Sequence, residues 1–109
     1  MSVVRSSEAG WKPLAQPGVA IKVLRSDKAS GAASFLLRLD AGARVPLHDH
    51  PGGEEVFVVE GELRIGGDRL RAGDYLYTAP DGTHDVGSEG GCVLLVSTPR
   101  PVRFLEPQG

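Results

Sequence analysis

The chain has a single cysteine, Cys92, which excludes an intrachain disulfide framework. Its place ahead of Val93-Leu94-Leu95-Val96 reads as a small buried hydrophobe and not as a reactive thiol. An excess of one charge is also missing. Twelve Lys and Arg stand against fourteen Asp and Glu, for a net charge of −2, so nothing favours nucleic acid or an acidic membrane surface as a partner. No apolar run approaches the roughly 18 residues that a membrane helix needs. The opening Met1-Ser-Val-Val-Arg5 has no apolar segment of the secretory kind. A cytoplasmic location is therefore expected, with neither membrane nor nucleic acid as partner.

Fifteen glycines and eight prolines are present, scattered between short β-branched runs. They read as turn punctuation of an all-β domain and not as a disordered tract. At 109 residues the chain is one domain that buries about two-thirds of its unfolded surface, enough for a core without staples.

Alternation places the strands. Val19, Ile21 and Val23 alternate with Ala20, Lys22 and Leu24. Phe35, Leu37 and Leu39 alternate with Ser34, Arg38 and Asp40, with Leu36 as the exception. Val56-Phe57-Val58-Val59 is an apolar run expected to end at Glu60-Gly61. Leu63 and Ile65 alternate with Glu62 and Arg64, and Gly66-Gly67-Asp68 reads as a hairpin connection that needs positive φ angles. Tyr75-Leu76-Tyr77 and Cys92 to Ser97 supply further strands, the two tyrosines being expected as wall packing. Trp11 is expected to anchor an N-terminal arm. Pro99, Pro101 and Pro107 leave Val102-Phe104-Leu105 as a short edge segment.

The three histidines are His48, His50 and His84. Residues i and i+2 of a strand share a face, with α-carbons roughly 6.6 Å apart, so His48 and His50 are placed to converge on one ion. Pro51-Gly52-Gly53 then turns the chain and brings Glu54 and Glu55 beside them. His84 follows the turn-rich Tyr77 to Thr83. Three imidazoles and a carboxylate suit a first-row divalent metal such as iron, manganese, nickel, copper or zinc. Asp81 and Asp85 flank the third histidine, as turn residues, solvated charges or supports for an imidazole N–H.

Gly42, five residues, His48-x-His50, three residues, Glu54, six residues and Gly61 match the first cupin motif position by position. The second motif is carried by Gly73, Pro80-x-Gly82 and His84. It departs from the usual pattern in having only Thr83 between Gly82 and the histidine, and Ser88 where an Asn is customary. With HDHPGGEEVFVVEG at its centre, the stretch from about Trp11 to Val96 resembles the cupin subgroup typified by the ChrR-type anti-sigma factor cupin domain. The resemblance implies a cupin jelly-roll β-barrel over 19–105, an arm over 1–18 packing on it, and a flexible tail over 106–109. It assigns His48, His50, Glu54 and His84 as metal ligands, with Glu55 then pointing outward, and it implies a homodimer.

Two functions are compatible with that resemblance. One is a small-molecule enzyme of dioxygenase or isomerase type acting through the metal; its catalytic residues stay unassigned, since no acid or base beyond the ligands can be named. The alternative is a non-catalytic metal- or ligand-sensing module. Only ten residues precede Trp11, so a separate helical domain for capturing a sigma factor is not expected, and a stand-alone role with a small-molecule ligand is.

Overall fold

The computed structural model describes residues 1–80, 82–101 and 103–104, the side chains of 46–49, 83–84 and 103–104 lying outside that description. Among these residues ten strands form: β1 (Lys12–Pro13), β2 (Val19–Ser26), β3 (Ala33–Leu39), β4 (Arg44–Asp49), β5 (Glu54–Ile65), β6 (Asp68–Arg71), β7 (Tyr75–Thr78), β8 (Thr83–Gly87), β9 (Cys92–Thr98) and β10 (Arg103–Phe104). They hydrogen-bond in the order β1-β2-β3-β9-β5-β8-β4-β10, with β6 and β7 also against β5, and every pair is antiparallel. The result is a curled jelly-roll β-barrel. The only helical element among the described residues is one 3-10 turn, Ser6–Glu8, and no helix is long and apolar enough to cross a membrane.

The curl depends on β5. The strand does not end with the apolar run at Glu60-Gly61. It continues through Gly61 to Ile65, and the strand changes partners on the way, from β7 and β9 over its first half to β6 and β8 over its second. A register shift between Val58 and Glu60 leaves Val59 as an extra residue, a bulge that bends the strand. Gly61 follows with φ +80. A β-carbon there would overlap the Gly91 carbonyl oxygen, so only glycine lets the two backbones approach this closely.

Five strands stack their inward residues in cross-strand rows. One row is Val19, Leu39, Cys92 and Gly61. Above it come Ile21, Leu37, Leu94 and Val58, then Phe35, Val96, Val56 and Leu76. The core closes on Leu39, Leu63, Leu94 and Val58, each fully buried, at about 1.5–3 kcal/mol for each such side chain. Cys92 is buried among them, as its sequence position suggested.

Three local expectations need correction. Val23 is not buried: it still pairs with Phe35, but it is exposed, and the β2–β3 register shifts just beyond it, leaving Leu24 as the extra residue. In the Gly66-Gly67 connection only Gly66 has positive φ, +56. Tyr75 and Tyr77 are not wall packing, since both lie exposed on the outer face. There Tyr75 pairs with Phe57 and Tyr77 with Glu55, so the parity of β7 puts Leu76 inside instead.

The N-terminal segment is tied down at two points. β1 pairs with β2, and the Trp11 ring meets both the Lys22 ammonium, 4.9 Å from its centroid, and the Arg38 guanidinium, 4.7 Å away. Each such contact contributes about 0.5–1 kcal/mol at an exposed site. Lys22 also donates to the Ser6 carbonyl at 2.6 Å. At the other end, Arg103–Phe104 forms an edge strand on β4. Val102, Leu105 and the tail 106–109 lie outside the described residues.

Candidate metal centre

The centre of the first motif is built by one tight turn. The Gly53 N–H donates to the His50 carbonyl at 2.9 Å, and Gly53 takes φ +87, a conformation that suits glycine. The chain reverses within four residues, so His50, just beyond β4, faces Glu54, the first residue of β5. Their side chains meet, His50 Nε2 to Glu54 Oε1 at 3.2 Å, and both are almost completely buried. Gly52 is needed as well: a β-carbon there would come within 2.8 Å of Pro99.

Parity sends the two glutamates to opposite faces. Along β5, Glu54, Val56 and Val58 are buried while Glu55, Phe57 and Val59 are exposed. Glu55 points outward and accepts a hydrogen bond from the Tyr75 hydroxyl at 2.7 Å. That bond favours the neutral phenol and raises the Tyr75 pKa above its ordinary value. The turn at Gly52-Gly53 therefore leaves the strand in the register that sends Glu54 inward.

The second motif meets the first through backbone register. β4 and β8 pair antiparallel with His48 opposite His84. In such a ladder, directly opposite positions lie closest to one another across the strands. The side chains of His48 and His84 fall outside the described residues, as does Asp81. Among the described residues no group of three or more His, Cys, Asp or Glu side chains assembles. Asp85 takes the solvated alternative, pairing with Arg44 at 3.1 Å on the exposed surface. The link from the second motif to His50 is Gly82, whose carbonyl lies 3.2 Å from His50 Nδ1. A carbonyl only accepts, so Nδ1 carries the proton in this contact and the lone pair of a neutral ring resides on Nε2, the atom facing Glu54. Gly82 has no positive φ, but a β-carbon there would crowd Thr78 Cγ2 at 2.8 Å.

Two acceptor atoms 3.2 Å apart in a buried site repel unless a cation, a proton or a metal ion, lies between or beside them. A divalent ion is one cation that this pair of side chains fits.

Glu54 also lines a cavity of about 370 Å³ inside the barrel. Its wall is made of the Phe35 row and of Ile21, Leu37 and Leu94, with Leu63 and Val86 from the other half of the barrel. Two polar residues that the sequence reading passed over also line it, Gln16 and Thr98, each about 4% exposed. The inward parity of Thr98 was legible from Cys92, Leu94 and Val96. Gln16 lies in a turn, where no periodicity marks it. Ser88, in the position where Asn was expected, is structural, its buried hydroxyl donating to the Glu62 carbonyl at 2.6 Å.

Known proteins share this architecture. A family model described as the ChrR cupin-like domain matches residues 1–100. The anti-sigma-E factor ChrR of Cereibacter sphaeroides is 36% identical over 75 residues, which cover 67% of this chain and 35% of that protein; the chain spans about a third of that relative's length. In the solved complex of Rhodobacter sphaeroides SigE with the anti-sigma ChrR, the superposition has a TM-score of 0.75 at 30% identity, covering 86% of this chain and 51% of that one. An acetylacetone dioxygenase from Acinetobacter johnsonii superposes with a TM-score of 0.82 over 97% of this chain and 77% of its own, at 16% identity, a likeness of fold alone. With its barrel, its motif geometry and the family match agreeing over nearly its whole length, the chain belongs to the ChrR cupin-like domain family.

Proposed function

We propose that this chain is a metal-binding cupin that holds one divalent ion on His48, His50, Glu54 and His84 and acts on a small molecule taken into the barrel, as an enzyme of dioxygenase or isomerase type. The observation that carries the reading is the buried contact between His50 and Glu54, the second of which lines the cavity. A carboxylate buried beside an imidazole and open to a cavity is costly as packing and useful as half of a metal site. The His48–His84 register pairing supports the other half. When bound, the ion supplies Lewis-acid polarisation of a ligand oxygen and, where it is iron, one-electron redox chemistry.

The chain's own residues do the rest. The Gly82 carbonyl fixes the His50 tautomer so that Nε2 is the donor atom. Glu54 supplies the only anionic side chain among the described cavity residues. Val56, Leu76 and Val96 line the same wall and exclude bulk water, which strengthens every electrostatic interaction inside.

The identity to the anti-sigma-E factor ChrR favours a second reading, a non-catalytic module that senses through its ion or its ligand. One experiment separates them. Metal-free protein is loaded with ferrous iron, manganese or zinc, and oxygen uptake and loss of small β-diketones, hydroxy-ketones and phenols are followed. Turnover with iron that disappears in Glu54→Gln is the expected result. A tetrahedral zinc signature with no turnover under any metal moves the assignment to the sensing module.

A further inference from the structure

The cavity is polar at its two ends and apolar through its middle, and we infer from this which molecules it takes: compact, mainly apolar compounds, uncharged or singly anionic, with an oxygen function at the Glu54 end and a second polar atom that Gln16 selects. The inference rests on the proposed metal site only for which end of the ligand meets Glu54.

The gradient follows from the strand register. Ala33 pairs with Thr98, and Glu54 with Thr78, at the end of the strands where the metal residues stand. The next two inward rows are wholly apolar, Phe35-Val96-Val56-Leu76 and Ile21-Leu37-Leu94-Val58. No Lys or Arg lines the cavity among the described residues. A phosphate or a second carboxylate inside would therefore lack a counter-charge beyond one bound ion, and burying such a charge is strongly unfavourable. A polyol would lose its hydration against apolar walls. Size sets the upper bound: an apolar cavity of about 150 Å³ holds benzene, so about 370 Å³ accommodates a single substituted ring or a chain of similar bulk.

Gln16 enters from the other end. The Val19 N–H donates to the Gln16 carbonyl at 3.2 Å, and Val19 pairs with Leu39, at the opposite end of β3 from Ala33. Its side chain is buried and lines the cavity. A primary amide offers two donors and an acceptor with two lone pairs, so it can bond within the protein and to a ligand atom at once. Gln16 is thus a specificity-determining residue, set apart from the metal ligands.

The test uses three probes on the metal-loaded wild-type protein and on Gln16→Met, a substitution of similar volume. They are 4-hydroxyacetophenone, acetophenone and phenyl phosphate, with Kd measured by calorimetry and metal content recorded for each sample. Wild type is expected to bind both ketones, and phenyl phosphate at least about a hundredfold more weakly. Gln16→Met is expected to lose about tenfold for 4-hydroxyacetophenone alone, the worth of one hydrogen bond, at unchanged metal content. Phenyl phosphate binding within tenfold of the ketones, or no ketone binding at millimolar concentration, overturns the ligand class, and both are read on wild type without any variant. Equal losses for the two ketones, or none for either, overturn the role of Gln16. Should wild type prove to hold no metal, the proposed metal site fails while the probe preferences still decide the ligand class.

Discussion

The same strands, β2, β3, β9, β5 and β7, end in two different chemistries. At the Cys92 end the inward row is Val19, Leu39, Cys92 and Gly61, packed so closely that a β-carbon on Gly61 cannot be accommodated. Six residues further along β3, the row holds Thr98 and Glu54. Strand parity places both rows on the inside. Residue identity alone makes one of them a seal and the other a site. The Cys92 end is thus expected to carry fold stability without metal affinity, and the Glu54 end metal affinity with a smaller share of stability.

Substitutions can break that contrast, the largest effect first. His50→Ala removes one of the four proposed ligands and is expected to lower metal affinity by more than about a hundredfold, beyond what loss of an outer-shell partner costs. Metal titration of the folded variant checks this, with circular dichroism confirming the barrel. Gly61→Ala forces a β-carbon into a positive-φ position against the Gly91 backbone and is expected to cost about 3 kcal/mol. Denaturant unfolding measures that loss, and metal per folded chain should be unchanged. Cys92→Ala removes a small buried side chain and should cost about 1 kcal/mol.

The same cysteine gives a pH signature. Burial raises the Cys92 thiol above its ordinary pKa, outweighing the opposing Ser88 hydrogen bond. The native pKa exceeds the unfolded one, so this contribution is complete below about pH 8.5 and is lost as pH rises through the native value. Melting curves from pH 8 to 10 should therefore show a steeper alkaline decline for wild type than for Cys92→Ala. Parallel curves would show that the thiol is not held neutral by the fold. The smallest effect is on the outer face, where Glu55→Gln keeps an acceptor for Tyr75 and should change stability by less than about 0.5 kcal/mol.

Much of the barrel was legible because period-two alternation and glycine-rich turns are local signals. β3 and β9 could be read directly, and Glu54 was separable from Glu55 by motif spacing. The bulges were not legible. Leu24 and Val59 look like their neighbours in sequence, and only the pairing against β3 and β9 shows them to be the extra residues. Gly61 was read as a strand end because glycine ends strands more often than it carries them around a corner. The tyrosines of β7 were misplaced because two aromatics flanking one leucine fix a parity but not which face is inside. At the site, motif spacing named Glu54 and His50, and the structure brings them together. It could not name Gln16, which reaches the cavity through a turn, or the Gly82 carbonyl, which acts through backbone.

The metal centre is tested most directly by elemental analysis of wild type, Glu54→Gln and Glu55→Gln purified side by side without added metal. One equivalent of a first-row divalent metal per chain is predicted for wild type and Glu55→Gln, with a large deficit in Glu54→Gln. Equal metal content in all three proteins, or wild type that binds none even when it is supplied, would contradict it.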